Sequence, residues 1–131
     1  MPNLVELNLS FNNITHNFLE FETNLDKLDI LDLEHNNIIP WHKSVVKNKL
    51  SELDLGGNQM DFVTQSMLDD FNKVDVLDLH NNPFNCTTCQ MAHFAKWLSS
   101  HKNLEMSIGI MCAIPENIKV IKMLKPPNCN A

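Results

Sequence analysis

The pattern L-x-x-L-x-L-x-x-N-x-φ, with φ an apolar residue, recurs four times within residues 1–84. The copies are Leu4, Leu7, Leu9, Asn12, Ile14; Leu28, Leu31, Leu33, Asn36, Ile38; Leu50, Leu53, Leu55, Asn58, Met60; and Val74, Leu77, Leu79, Asn82, Phe84. Their starts lie 24, 22 and 24 residues apart. No single helical face repeats at spacings of 3, 2, 3 and 2, so a helical protein rich in leucine is excluded. Residues two apart on a strand face the same way. Leu7 and Leu9, and their counterparts in each copy, therefore point into one core, whereas Asn8, Asp32, Asp54 and Asp78 point out.

A fixed period of this length with this internal wording is the signature of leucine-rich repeats, and it predicts an α/β solenoid with a short parallel sheet on its concave side. The asparagine of each copy falls where the chain leaves the strand and turns a corner. Its amide offers donors and acceptors to peptide groups that no neighbouring strand can pair, so Asn12, Asn36, Asn58 and Asn82 are expected to stack as a structural ladder. Phe21, Leu25 and Leu28 close the first copy, and Leu68, Phe71 and Val74 the third, at a spacing that suits a turn of helix under the sheet. The second copy is shorter and carries Pro40 and Trp41, which predicts an extended or 3₁₀ outer side.

Beyond Phe84 the composition changes. All four cysteines, Cys86, Cys89, Cys112 and Cys129, lie in residues 85–131. Four cysteines allow three pairings. Thr87 through Ser99 reads as a helix, with Thr87 and Gln90 as a capping box and Met91, Phe94, Ala95 and Leu98 on one face. A solenoid core is open at its ends, and this helix, with Trp97, is the natural lid over the last coil. Two units are expected: four repeats over 1–84 and a cysteine-rich cap over 85–131.

The run Asn82-Pro83-Phe84-Asn85-Cys86, a second cysteine soon after, Phe94, Trp97-Leu98, Cys112-Ala113-Ile114-Pro115 and a last Cys129 resembles the C-terminal cap of extracellular leucine-rich-repeat proteins. The likeness is greatest to the Toll-family receptors; Slit-like and other adhesion or matrix proteins share the module. One departure is that the family usually spaces its first two cysteines by one residue, whereas two separate Cys86 and Cys89. The resemblance implies bridges from Cys86 to Cys112 and from Cys89 to Cys129, and a disulfide-bonded helical cap. It also implies a binding module rather than an enzyme, whose partner is a protein ligand or a second receptor chain. The alternative within the same resemblance is a secreted or cell-surface adhesion protein.

An even number of cysteines gathered in one cap agrees with an oxidising compartment. Three sequons, at Asn8, Asn13 and Asn85, are glycosylation candidates. Met1-Pro2-Asn3 runs straight into the first repeat without a signal peptide, and no apolar run reaches the ~20 residues that span a bilayer. The sequence thus reads as a C-terminal piece of a longer extracellular receptor. As an isolated chain it is expected to self-associate through an uncovered first repeat.

The outward strand positions are acidic. Glu6, Asp32, Glu34, Glu52, Asp54 and Asp78 stand there, with no Lys or Arg among them, in a chain of formal net charge −6. Such a face repels nucleic-acid phosphates and favours a basic or polar protein ligand. Asn8, His35 and His80 complete the expected ligand-facing set, and an imidazole near carboxylates titrates between about pH 5 and 8. Cys86-x-x-Cys89 has the spacing of a disulfide oxidoreductase, but the strand and helix order of a thioredoxin-like fold is absent. A zinc site would want two close cysteine pairs, and Cys112 and Cys129 are 17 apart. No catalytic triad, phosphate-binding loop or metal-ligand spacing is present, so no catalytic residue, metal or cofactor is expected.

Overall fold

The computed structural model describes residues 3–15, 27–100, 110–114, 116 and 118–120. Four short strands, β1 (Glu6–Asn8), β2 (Ile30–Asp32), β3 (Leu50–Asp54) and β4 (Val74–Asp78), form one parallel sheet in sequence order. The register is that of a regular coil: Leu7, Leu31, Leu53 and Leu77 stand side by side. Leu31, Leu33, Leu53, Leu55, Leu77 and Leu79 are all buried. Each contributes about 1.5–3 kcal/mol by leaving water. In the first coil Leu4, Leu7 and Leu9 are only partly buried, since β1 is the edge of the sheet.

At the corners the asparagine side chains join successive coils. Asn36 donates from Nδ2 to the carbonyls of Leu9 and Leu33, both at 3.0 Å, and accepts the Ile14 N–H on Oδ1 at 3.1 Å. Asn58 bonds Leu33, Leu55 and Ile38 in the same way, and Asn82 bonds Leu55, Leu79 and Met60. Asn12 differs from the expectation. It is exposed and bonds only Leu9 and Ser10 of its own coil, because among the described residues no earlier coil lies against it.

The outer side differs from coil to coil. The expected helical turn before Leu28, with Phe21 and Leu25, lies outside the described residues. In the second coil residues 37–49 are extended or bent, as the Pro40-Trp41 reading predicts. The third carries α1 (Gln65–Phe71), which buries Met67, Leu68 and Phe71. Its N-cap is Thr64, whose hydroxyl accepts the Met67 N–H while its own N–H reaches the Met67 sulfur. α1 also buries Asp70 completely. The Asp70 carboxylate accepts hydrogen bonds from Trp41 Nε1 at 2.8 Å, Val45 N at 2.9 Å, Val46 N at 3.3 Å and the Ser44 hydroxyl. One carboxylate thus pins the irregular outer segment of the second coil onto the helix of the third.

The cap helix is α2 (Gln90–Ser100). The expected capping box at Thr87 is not formed. The Thr87 N–H and hydroxyl both donate to Asn85 Oδ1, and the helix begins three residues later. The cause is the anchoring of the preceding residues: Cys86 N–H bonds the Ile114 carbonyl, and Cys86 is bridged to Cys112. Met91, Phe94, Ala95 and Leu98 are buried on one face, and Phe94 meets Phe84 of the last coil with ring centroids 5.5 Å apart. Trp97 is tied to the end of α1 by Nε1 donating to Asn72 Oδ1 at 2.9 Å. Repeats and cap therefore share one buried apolar cluster.

Candidate functional site

The concave face is a lattice of in-register rows. Glu6, Ile30, Glu52 and Val76 form the first, and Asn8, Asp32, Asp54 and Asp78 the second. Past the strand ends the backbone bonds continue, from Phe11 N to Glu34 O, His35 N to Gly56 O and Gly57 N to His80 O. They align Ser10, Glu34, Gly56 and His80 as a third row, and Phe11, His35, Gly57 and Asn81 as a fourth. The structure thus brings together every residue expected to face a ligand: Glu6, Asn8, Asp32, Glu34, His35, Glu52, Asp54, Asp78 and His80.

The second row has a local duty. Each side-chain oxygen accepts the N–H of the residue two further on: Ser10 on Asn8 at 3.0 Å, Glu34 on Asp32 at 3.0 Å, Gly56 on Asp54 at 3.0 Å, and His80 on Asp78 at 3.1 Å. This bend ends the strand, and any Asx residue can make it. The charge is a further property. Carboxylate oxygens of Asp32, Glu34 and Asp54 lie within 4.8 Å of one another. Burial, and then the neighbouring Asp78, Glu34 and Asp32, push the Asp54 carboxyl up to about 6 against the opposing hydrogen bond from Gly56. Three half-exposed oxygens are far fewer than the six to eight ligands a calcium ion takes, and acidic side chains on a solvated face reach this spacing without an ion.

Two histidines border the acidic rows. His80 Nδ1 contacts Asp78 Oδ1, and that hydrogen bond holds the imidazole pKa above its ordinary value. His35 Nε2 lies 3.4 Å from Glu34 Oε1, and its ring stacks on Phe11 with centroids 4.6 Å apart. Both rings fill space left by glycine. A Cβ on Gly57 would lie 2.7 Å from His35 Nδ1, and one on Gly56 would lie 3.0 Å from His80 Cε1. His35 and His80 therefore flank the third corner from opposite sides.

The fourth row was not legible in the sequence. Phe11, His35, Gly57 and Asn81 all adopt positive φ, at 58°, 55°, 68° and 56°, each directly before a corner asparagine. Glycine and asparagine visit this region easily; phenylalanine and histidine are held there at a cost of about 1–2 kcal/mol. Four unlike side chains hid a shared backbone state. Position relative to the asparagine was the available signal.

Of the cysteines, Cys86 and Cys112 form a disulfide with Cα atoms 5.9 Å apart. Cys89 is also disulfide-bonded, and Cys129, its partner by resemblance, lies outside the described residues. Among the described residues no helix is long and apolar enough to cross a membrane. Of the sequon asparagines, Asn8 and Asn13 are exposed and Asn85 is half-buried.

The leucine-rich-repeat family model matches residues 3–25. Human Toll-like receptor 8 is 38% identical over 45 residues, which are 33% of this chain and 4% of that protein. Human CD180 antigen is 29% identical over 102 residues, 76% of this chain and 15% of that protein. The crystal structure of human 5T4 (Wnt-activated inhibitory factor 1, trophoblast glycoprotein) superposes with a TM-score of 0.78 over the whole chain, at 24% identity, and the chain covers 48% of it. The class is thereby defined: a leucine-rich-repeat solenoid with a disulfide-bonded cap. In sequence the chain is related to Toll-like receptor 8 and to CD180, of whose lengths it spans only a small part.

Proposed function

We propose that the chain is the extracellular ligand-binding and dimerisation module of a Toll-like signalling receptor. The four repeats over 1–84 present the ligand surface, and the cap over 85–131 is the region near which two receptor chains meet. The observation that carries this reading is the concave sheet face itself. Its aligned positions Asp32, Glu34, Glu52, Asp54 and Asp78 are acidic with no Lys or Arg among them. A basic segment of a protein ligand complements such a surface, whereas a phosphate backbone is repelled by it. Similarity to Toll-like receptor 8 and CD180 supports a receptor. The bonding of Cys86 to Cys112, rather than to Cys89, speaks against redox work by the Cys-x-x-Cys segment.

Calorimetric titration with a lysine-rich peptide tests the surface. Replacing Asp32, Asp54 and Asp78 together by Asn keeps the strand-ending oxygen and removes three charges. Affinity should fall at least ~10-fold, with a shallower salt dependence. The comparison variant neutralises exposed Asp61, Asp69 and Glu116, which lie off the concave rows. If it weakens binding as much, the attraction belongs to net charge and the concave face is not the ligand surface.

A further inference from the structure

Asn8 holds the position that Asp32, Asp54 and Asp78 hold in the next three coils, and makes the same bend with the N–H two residues on. The fold asks only for an Asx oxygen there, and three coils supply aspartate. The first coil departs from this in two linked ways. Its residue is an amide, and the residue two further on is Ser10, whose hydroxyl also donates to Asn8 Oδ1, at 2.6 Å. Two donors thus occupy the carbonyl oxygen, while Nδ2 makes no hydrogen bond among the described residues. Asn8 is exposed, on the edge strand, at the end of the acidic row.

We propose that Asn8 is N-glycosylated within Asn8-Leu9-Ser10. In the reaction Nδ2 attacks C1 of the first sugar of a polyprenyl-diphosphate-linked oligosaccharide, the donor class used by the secretory-pathway transferase. The C1–O bond to the diphosphate breaks, the diphosphate leaves with the electron pair, and one amide proton passes to a base of the transferase. The fold tolerates the product, because the oxygen that makes the bend is untouched and the substituted nitrogen has no partner to lose. Asn85-Cys86-Thr87 makes the same bend, with the Thr87 N–H and hydroxyl donating to Asn85 Oδ1, but differs in its surroundings. Asn85 is half-buried, its N–H bonds the Asp61 carbonyl at 2.8 Å, and the next residue is cross-linked to Cys112.

The inference rests on the extracellular reading and refines it. A glycan on Asn8 places a bulky hydrated group over the β1 end of the concave face, so a partner is confined to the rows of β2, β3 and β4.

The test is secretion of this chain, behind an added signal, from a glycosylating cell, followed by peptide mapping with and without enzymatic glycan release. The peptide carrying Asn8 should appear only after release, with Asn8 converted to Asp. Asn8→Asp, which restores the residue of the other three coils, and Ser10→Ala should each remove one glycan from the intact mass and leave the Cys86–Cys112 bridge in place. Secreted, bridged protein with unmodified Asn8 overturns the proposal and leaves the extracellular reading standing. Reactive Cys86 and Cys112 thiols in the secreted protein overturn both.

Discussion

Asn36 and Asn58 each bond backbone groups on two coils, whereas Asp54 serves one half-buried bend and otherwise faces like charges. Replacing Asn36 or Asn58 by Leu preserves size roughly but leaves peptide groups unpaired, at about 1–3 kcal/mol for each. Asp54→Asn retains the acceptor and removes a charge that burial and like-charged neighbours disfavour, so at neutral pH it should leave stability unchanged or raise it. Thermal melts that rank the two substitutions the other way would contradict the assignment of inward and outward positions. The same site gives a pH dependence. A carboxyl raised from 3.8 to about 6 by folding binds its proton more tightly in the native state, so its share of stability falls as pH rises from about 4 to 6. His80, also raised, contributes stability present below its ordinary pKa and lost as pH rises through the raised value. Both act in one direction. The double variant Asp54→Asn/His80→Gln should lose less stability than the parent between pH 5 and 8, which melts across that range can measure.

At the scale of elements, the repeats were legible because leucine spacing, strand alternation and corner asparagines report the same geometry. The buried face of α2 was legible for a similar reason, since Met91, Phe94, Ala95 and Leu98 keep a helical period. Its start was not, because the disulfide and the Ile114 pairing commit Thr87 to a bend with Asn85, and those contacts come from distant residues. Asp70 was invisible for the same kind of reason. Beside exposed Asp69 it reads as a second solvated charge, and only the fold brings Trp41, Ser44, Val45 and Val46 to it. Asp70→Ala should cost about 3–5 kcal/mol by stranding those donors. Asp69→Ala should cost under about 0.5 kcal/mol. Equal effects in chemical denaturation would show that the carboxylate does not anchor the second coil.

At the scale of the whole chain, β1 is the outermost strand among the described residues, and there Leu4, Leu7 and Leu9 are only partly buried and Val5 and Phe11 are 51% and 75% exposed. The isolated 131-residue chain is expected to associate through this edge, and light scattering over a concentration series should show the association weaken when Leu4 and Leu9 become Lys. At the other end, the Cys86–Cys112 bridge has a sequence separation of 26, and loop-closure entropy gives it about 3.5 kcal/mol. The Cys86–Cys112 bridge closes the cap, and the extracellular placement proposed above requires it. Non-reducing peptide mapping of the native, secreted chain after thiol alkylation tests it most directly. The predicted result is a peptide joining Cys86 to Cys112 with neither residue alkylated; alkylated Cys86 or Cys112, or a bridge from Cys86 to Cys89, would contradict it.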